Sequence, residues 1–353
     1  MFSIRQNFTQ RSSRLPKKSQ LLTMDTAYLG QPFVRVVGKN QNTLGLDVSY
    51  NAQPFVAAYN NRLTGLERSV ANHMEVDKWL ANVYWNAGGA NSTTIAALNT
   101  FCNAIDNAGI RSKFYRLNLF CGNNLQACCV PLYTSTSYYD QSLGLAVDMN
   151  NGFVSGDYNE TGSNGGLLGD GTSKHLRTGL RPDKLPSGFE YNCHLSAYRK
   201  TAGNTQALMG SYYYDTTITA NRHSYEIAQN TIILNATGGP TIPTISGYPA
   251  FQLGIRSSSS YSIAYTNSTA GTPYTASITA FATNVPFIIF GRNLITGSPP
   301  SDGGQSAFGT YNSTFLTTSL LAGYSIGSSL SSSEAIAFYN AIQAFQTSLG
   351  RNV

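Results

Sequence analysis

Hydrophobic positions follow two different rhythms along this chain. Between residues 75 and 110 they recur at helical spacing. Val76, Trp79, Leu80 and Val83 share one side of Glu75–Tyr84, and Asn86-Ala-Gly-Gly then breaks the pattern. Asn91-Ser92-Thr93 supplies N-cap candidates for a second stripe of Ile95, Leu98, Phe101, Cys102 and Ile105, with Gly109 fitting the position just past its end. This predicts a helical hairpin with one apolar face, of the kind that packs on the protein's own sheet. Beyond Arg111 the rhythm shortens to alternation. Strands are predicted at Phe114–Phe120, His194–Lys200, Ala207–Tyr214, Ser224–Leu234, Phe251–Arg256, Ser260–Asn267, Thr272–Phe281, Phe287–Asn293 and Ser319–Ile326. Gly, Ser, Asn and Pro turns separate them, and residues 134–175 read as loop-rich. Many short strands with turn signals predict a mainly β sandwich or barrel. The chain closes on a helix: Ser331-x-x-Glu334 is a capping box, and Ala335, Phe338, Tyr339, Ile342, Phe345 and Leu349 form its stripe.

One repeat stands out. Residues 24–34 read MDTAYLGQPFV and residues 46–56 read LDVSYNAQPFV, the same D-x-x-Y-x-x-QPFV pattern 22 residues apart. Proline removes one ladder donor from each copy. The copies read either as extended segments that dock on a partner through Tyr28, Gln31, Pro32 and Phe33 and through Tyr50, Gln53, Pro54 and Phe55, or as a repeated edge hairpin.

Charge sharpens the picture of what precedes that repeat. The net charge is +6. Arg5, Arg11, Arg14, Lys17 and Lys18 fall in the first 20 residues with no acid among them, which leaves 18 bases against 17 acids in the rest. A domain tracking a phosphate backbone should carry the basic excess on its body. Nucleic acid is therefore disfavoured as a partner, and the N-terminus reads as a basic docking arm. Only 11% of residues are charged, against roughly 25% in ordinary domains. Ser, Thr, Asn, Gly and Tyr replace them, a composition that suits extracellular or virion β-structure. No apolar run reaches the ~18 residues of a transmembrane helix, so no membrane partner is expected.

The search for chemistry finds little. Asp157-x-x-Glu160 is the nearest acid pair, but it sits in a Gly/Asn/Ser loop rather than flanking a strand-borne site as a glycosidase pair would. The histidines are His73, His175, His194 and His223, and only Cys193-His194 puts one beside another metal-type ligand. On a strand those two point to opposite faces. Gly169-Asp170-Gly171-Thr172 lacks the lysine and helix of a phosphate loop and reads as a tight turn. Cys102, Cys121, Cys128, Cys129 and Cys193 match no zinc spacing and read as buried thiols, with a Cys121–Cys128 bridge as the minor alternative. No cofactor is expected; calcium is the one ion for which loop acids, Asp157, Asp170 and Asp183, are at hand. Tyr138-Tyr139 and Tyr212-Tyr213-Tyr214 are the aromatic candidates for glycan or partner contact, because alternation should turn some of those rings outward.

Residues 76–122 (VDKWLANVYWNAGGANSTTIAALNTFCNAIDNAGIRSKFYRLNLFCG), residues 150–180 (NNGFVSGDYNETGSNGGLLGDGTSKHLRTGL) and residues 331–353 (SSSEAIAFYNAIQAFQTSLGRNV) resemble a family of bacteriophage virion proteins that end in a concanavalin-like, laminin-G-like jelly roll. The resemblance implies an antiparallel jelly-roll β-sandwich with an extended N-terminal arm, a helical hairpin and a C-terminal helix. It divides the chain into a basic arm (1–23), two repeat segments forming an anchor (24–62), the helical hairpin (63–112) and the sandwich with its helix (113–353). It implies a non-enzymatic structural or adhesive component of a tailed phage, on the particle surface. The expected placement is a tail fibre or a baseplate- or collar-attached host-recognition protein. Capsid decoration is the alternative, and a polysaccharide depolymerase ranks lower. Expected partners are other virion proteins, further copies of this chain with a trimer favoured, and a host-surface glycan. The family contributes no catalytic residues, and its calcium-binding pattern is not recognisable here.

Overall fold

The computed structural model describes residues 72–134, 146–204, 206–214, 222–228, 231–234, 242–243, 249–275, 283–296 and 312–353, together with five short strands in the N-terminal 71 residues. Two nine-stranded sheets stack face to face, and a layer of helices covers the outer face of one of them. The protein is thus mainly β and has the architecture of a β-sandwich.

The helices form where the sequence places them. The first, α1, spans Met74–Trp85; the second, α2, spans Ser92–Asn107, and the Asn91 side chain accepts from the Thr94 amide at 2.8 Å. A single turn, α3, spans Leu125–Cys128, and α4 spans Ser332–Ser348. Both halves of the α4 capping box are made: the Ser331 amide donates to Glu334 at 2.7 Å and the Glu334 amide donates to Ser331 Oγ at 3.3 Å. Gly109 takes φ +68°, a conformation open to glycine, and lets the chain leave α2 toward the sheet.

The sheet beneath them orders Thr269–Ala270, Tyr261–Thr266, Ala250–Ser258, Cys193–Arg199, Leu320–Gly327, Gly166–Leu168 and Tyr158–Asn159, with every pairing antiparallel. Leu320–Gly327 divides its second edge. Its start pairs with Gly166–Leu168, and its end pairs with Phe114–Asn118, which carries Tyr133–Thr134 beside it. This central sheet is covered on both faces. Phe251, Leu253, Ile255 and Tyr198 meet Trp79, Phe101, Phe338 and Phe345 of the helices, while Leu195, Ala197 and Tyr324 face the second sheet. The Phe338 ring sits 4.8 Å from Phe114 and 5.4 Å from Phe251, both edge-on.

The distal sheet runs Ile242–Pro243, Thr231–Leu234, Arg222–Ala228, Ala207–Tyr214, Ile288–Ile289, His175–Arg177 and Met149–Asn151. It is mixed, because Arg292–Thr296 lies parallel to Ala207–Tyr214. Within the loop-rich stretch 134–175, the short strands Met149–Asn151, Tyr158–Asn159, Gly166–Leu168 and the start of His175–Arg177 join the ends of both sheets. One expectation is corrected here. The single strand expected at Phe287–Asn293 is split at Phe290, whose φ is +72°, so that its halves pair with Ala207–Tyr214 in opposite senses.

In the N-terminal segment, Leu21–Ala27 pairs antiparallel with Gln31–Val37, so the first D-x-x-Y-x-x-QPFV copy straddles a hairpin, with Pro32 opposite Thr26 and Phe33 opposite Asp25. Arg5 lies on a short strand opposite Asp25. Arg11, Arg14, Lys17, Lys18, Tyr28, Tyr50, Gln53, Pro54 and Phe55 lie outside the described residues. Among the described residues no helix is long and apolar enough to cross a membrane.

Candidate functional site

A strand buried on both faces has no water to satisfy its polar side chains, so each needs an internal partner. The central sheet supplies them. His194 Nδ1 lies 2.6 Å from the Ser328 carbonyl, which can only accept, so Nδ1 carries the proton. Nε2 then accepts from Ser325 Oγ at 3.0 Å, and Ser325 meets Ser196 at 2.6 Å. Burial pushes the His194 ring down to about 4. This is a histidine–serine chain without access to solvent, hence a structural one. Cys193 faces the other core, as the strand alternation requires.

The buried acids and cations are engaged in the same way. Asp148 receives Arg116 at 2.7 Å, Tyr324 at 2.8 Å and Asn118 at 2.9 Å, on the side of the central sheet where Tyr324 faces the second sheet. Arg351 donates to the carbonyls of Phe120 and Leu119 and to Gln346 at 2.7–2.9 Å, pinning the last residues to the central sheet. Glu160 accepts from Thr94, Asn91 and the Gly122 amide and so ties α2 to the edge of that sheet. The calcium candidates are spoken for separately. Asp157 pairs with Lys174 at 2.7 Å and Asp183 with Arg181 at 2.6 Å. Asp170 accepts from the amides of Thr172, Ser173 and Lys174, which hold its carboxyl far below the usual range against the opposing effect of burial. Among the described residues no group of three or more His, Cys, Asp or Glu is placed to hold a metal ion. All five cysteines are buried free thiols, and burial drives Cys102, Cys129 and Cys193 up to about 12. They are poor nucleophiles there.

Alternation was expected to expose some rings of the tyrosine run on Ala207–Tyr214. Tyr212 and Tyr213 are buried, with the Arg292 guanidinium 4.5 Å from the Tyr212 ring centre. Only the backbone of Tyr214 is described, and Tyr138 and Tyr139 fall outside the described residues. The exposed aromatics lie elsewhere. Tyr84 and Trp85 end α1 at 61% and 62% exposure, off the stripe that buries Val76, Trp79 and Val83. That position was readable from helical spacing, but no charge or motif marks it.

Among the described residues, a groove of about 570 Å³ opens where the helix layer hands over to the central sheet. One wall is the turn Arg111–Lys113 and the start of Phe114–Asn118. The other is the turn Pro182–Lys184, which runs on into buried Leu185 and exposed Pro186. Its position is fixed by the Arg181–Asp183 pair and by the Asp183 amide, which donates to Thr283 at 3.0 Å. Thr134 closes one end.

Arg111 has one face 3.9 Å from the Tyr133 ring centre, and its Nε and Nη2 reach Glu75 at 3.3 and 3.2 Å. Lys184 is exposed and makes no ion pair among the described residues. Tyr115 is half-buried, its ring 6.0 Å from Phe189. Its hydroxyl bonds Ser328, and burial pushes its ionisation up. Ser112 and Thr134 add hydroxyls. Two cations, one partly open phenol ring and two hydroxyls thus line the groove, and no acid is among its described lining residues. None of these was singled out in the sequence, since none belongs to a motif. A second groove, about 450 Å³ between α2 and α4, is lined by Ser92, Thr93, Thr100 and Ser348 without a charged group.

No family model matches the chain, and no curated protein does. Solved structures match loosely. NanB sialidase from Streptococcus pneumoniae, in its K499G mutant, is 14% identical over 49% of this chain and 27% of its own, with a TM-score of 0.35. A Trypanosoma rangeli sialidase mutant displaying trans-sialidase activity is 10% identical over 70% of this chain and 39% of its own, with a TM-score of 0.37. The binding domain of botulinum neurotoxin DC, in complex with SialylT, is 10% identical over 50% of this chain and 42% of its own, with a TM-score of 0.31. The matched region spans well under half of each of these proteins. Likenesses this loose assign neither a family nor a function.

Proposed function

We propose that the protein is a structural and adhesive component of a tailed-phage virion, which binds a host-surface glycan in the Arg111–Lys184 groove without breaking it. In this reading the sandwich is the jelly roll that the sequence resemblance implies. The N-terminal segment anchors it to neighbouring virion proteins, and the sandwich stands on the particle surface at a tail fibre, baseplate or collar. The resemblance supports the virion; the geometry supports recognition.

One observation carries the recognition half: polar, charged and aromatic groups line one open groove, while the buried His194, Asp148 and Arg351 of the sandwich are taken up by internal bonds. Its volume lies within the ~300–1,000 Å³ of small-ligand sites. Saccharides are bound by hydroxyls and charged side chains around their rim and by an aromatic face against their C–H surface. Hydrolysis by the common retaining or inverting route would instead need two carboxylates flanking the scissile bond. The carboxylates beside this groove, Glu75 and Asp183, are each held by an arginine.

Binding of the full chain to a glycan array tests the proposal. A set of bound glycans is expected, with affinity reduced roughly tenfold by Tyr115→Ala, the upper range for one lost aromatic contact. A blank array, or a variant that binds as well as the parent, contradicts it.

A further inference from the structure

We infer that the groove selects a negatively charged saccharide, its acid group neutralised by Arg111 and Lys184. This deepens the reading of the groove as a glycan site and rests on it. The inference follows from an imbalance of charge. Two cations line the groove and no acid does. Nearby acids are already committed: Glu75 to Arg111 and to Lys78 at 3.7 Å, Glu334 to Lys113 at 4.0 Å, and Asp183 to Arg181.

Of the two lining cations, Arg111 is fixed. Its stacking on Tyr133 and its bonds through Nε and Nη2 set the plane of the guanidinium. A fixed guanidinium presents its remaining donors to a carboxylate, sulfate or phosphate group at little cost in side-chain freedom. Lys184 is the mobile partner, a point charge on an exposed turn held at its base by Arg181–Asp183. A neutral sugar would use the hydroxyls and the Tyr115 ring and leave the Lys184 charge without a counterpart, since Arg111 already meets Glu75. In a chain with only 11% charged residues, a lysine unpaired among the described residues, beside an arginine with donors to spare, gives the groove an excess of positive charge.

The test is calorimetric titration of the full chain with three probes of equal length: an oligogalacturonate, a sulfated oligosaccharide and a neutral malto-oligosaccharide. The acidic probes should bind at least about tenfold more tightly than the neutral one, and their affinity should fall as salt is raised. Lys184→Ala should weaken the acidic probes about fivefold, the order of one exposed ion pair, and more than it weakens the neutral probe. Lys184→Glu should weaken them further. Both variants lie on an exposed side chain, and an unchanged Tm confirms that they fold. A carboxylate preference or a sulfate preference identifies which acid is read; either supports the inference. Equal binding of acidic and neutral probes, or acidic binding indifferent to Lys184→Glu, overturns it while the glycan reading stands. Binding of none of the three probes overturns the charge inference as well, and the array result then decides the glycan reading by itself.

Discussion

His194 sits on a strand with protein on both sides, and its two ring nitrogens are used as donor and acceptor within 3.0 Å. That arrangement fixes the neutral tautomer and has a measurable consequence. The folded ring titrates near 4, the unfolded one near 6.5. As pH falls, the unfolded chain takes up this proton first, so the stability that His194 contributes is present above about 6.5 and is lost progressively down to about 4. The full loss is roughly 3 kcal/mol. In guanidinium titrations between those pH values, His194→Asn should be less stable than the parent at neutral pH and should show a flatter fall with acid. Parallel curves for the two proteins would show that another group carries the acid sensitivity. The opposite-face placement of Cys193 and His194 was legible from strand alternation. The partners of His194 were not, because Ser325 and Ser328 lie more than a hundred residues away in the chain.

At the scale of elements, legibility followed length. The helices α1, α2 and α4 carry 12, 16 and 17 residues, enough turns for a stripe and a cap to show in sequence. Phe338 illustrates how such a stripe is used: its ring is fully buried and touches two strands and, at 6.2 Å between centroids, His194. Phe338→Ala should cost about 3–5 kcal/mol in denaturant unfolding. A loss below about 1 kcal/mol would mean that α4 is not part of the cooperative core. The edge strands between residues 149 and 177 hold only two or three residues each. Nothing periodic fits in so short a span. Their pairing, such as Leu167 opposite Leu321, is decided by distant chain. The break at Phe290 was equally silent, since a phenylalanine at positive φ has no sequence signal.

For the whole molecule, the net charge of +6 describes the first 20 residues more than the sandwich. The body is close to neutral, yet two of its cations meet in one groove. The groove was not legible in sequence because its walls come from residues 111–115, 134 and 184–186, which share no motif and are joined only by the fold. The tyrosine doublets and triplets stand out in composition, while the burial of Tyr212 and Tyr213 is set by what the fold packs over them. These features join in the function proposed above, a recognition domain carried on a virion by its N-terminal segment. Antibody labelling of purified virions against the sandwich tests this most directly. The account predicts label at the tail, baseplate or collar, with a copy number near that of the tail tip. Particles without label, or hundreds of copies spread over the head, would contradict it.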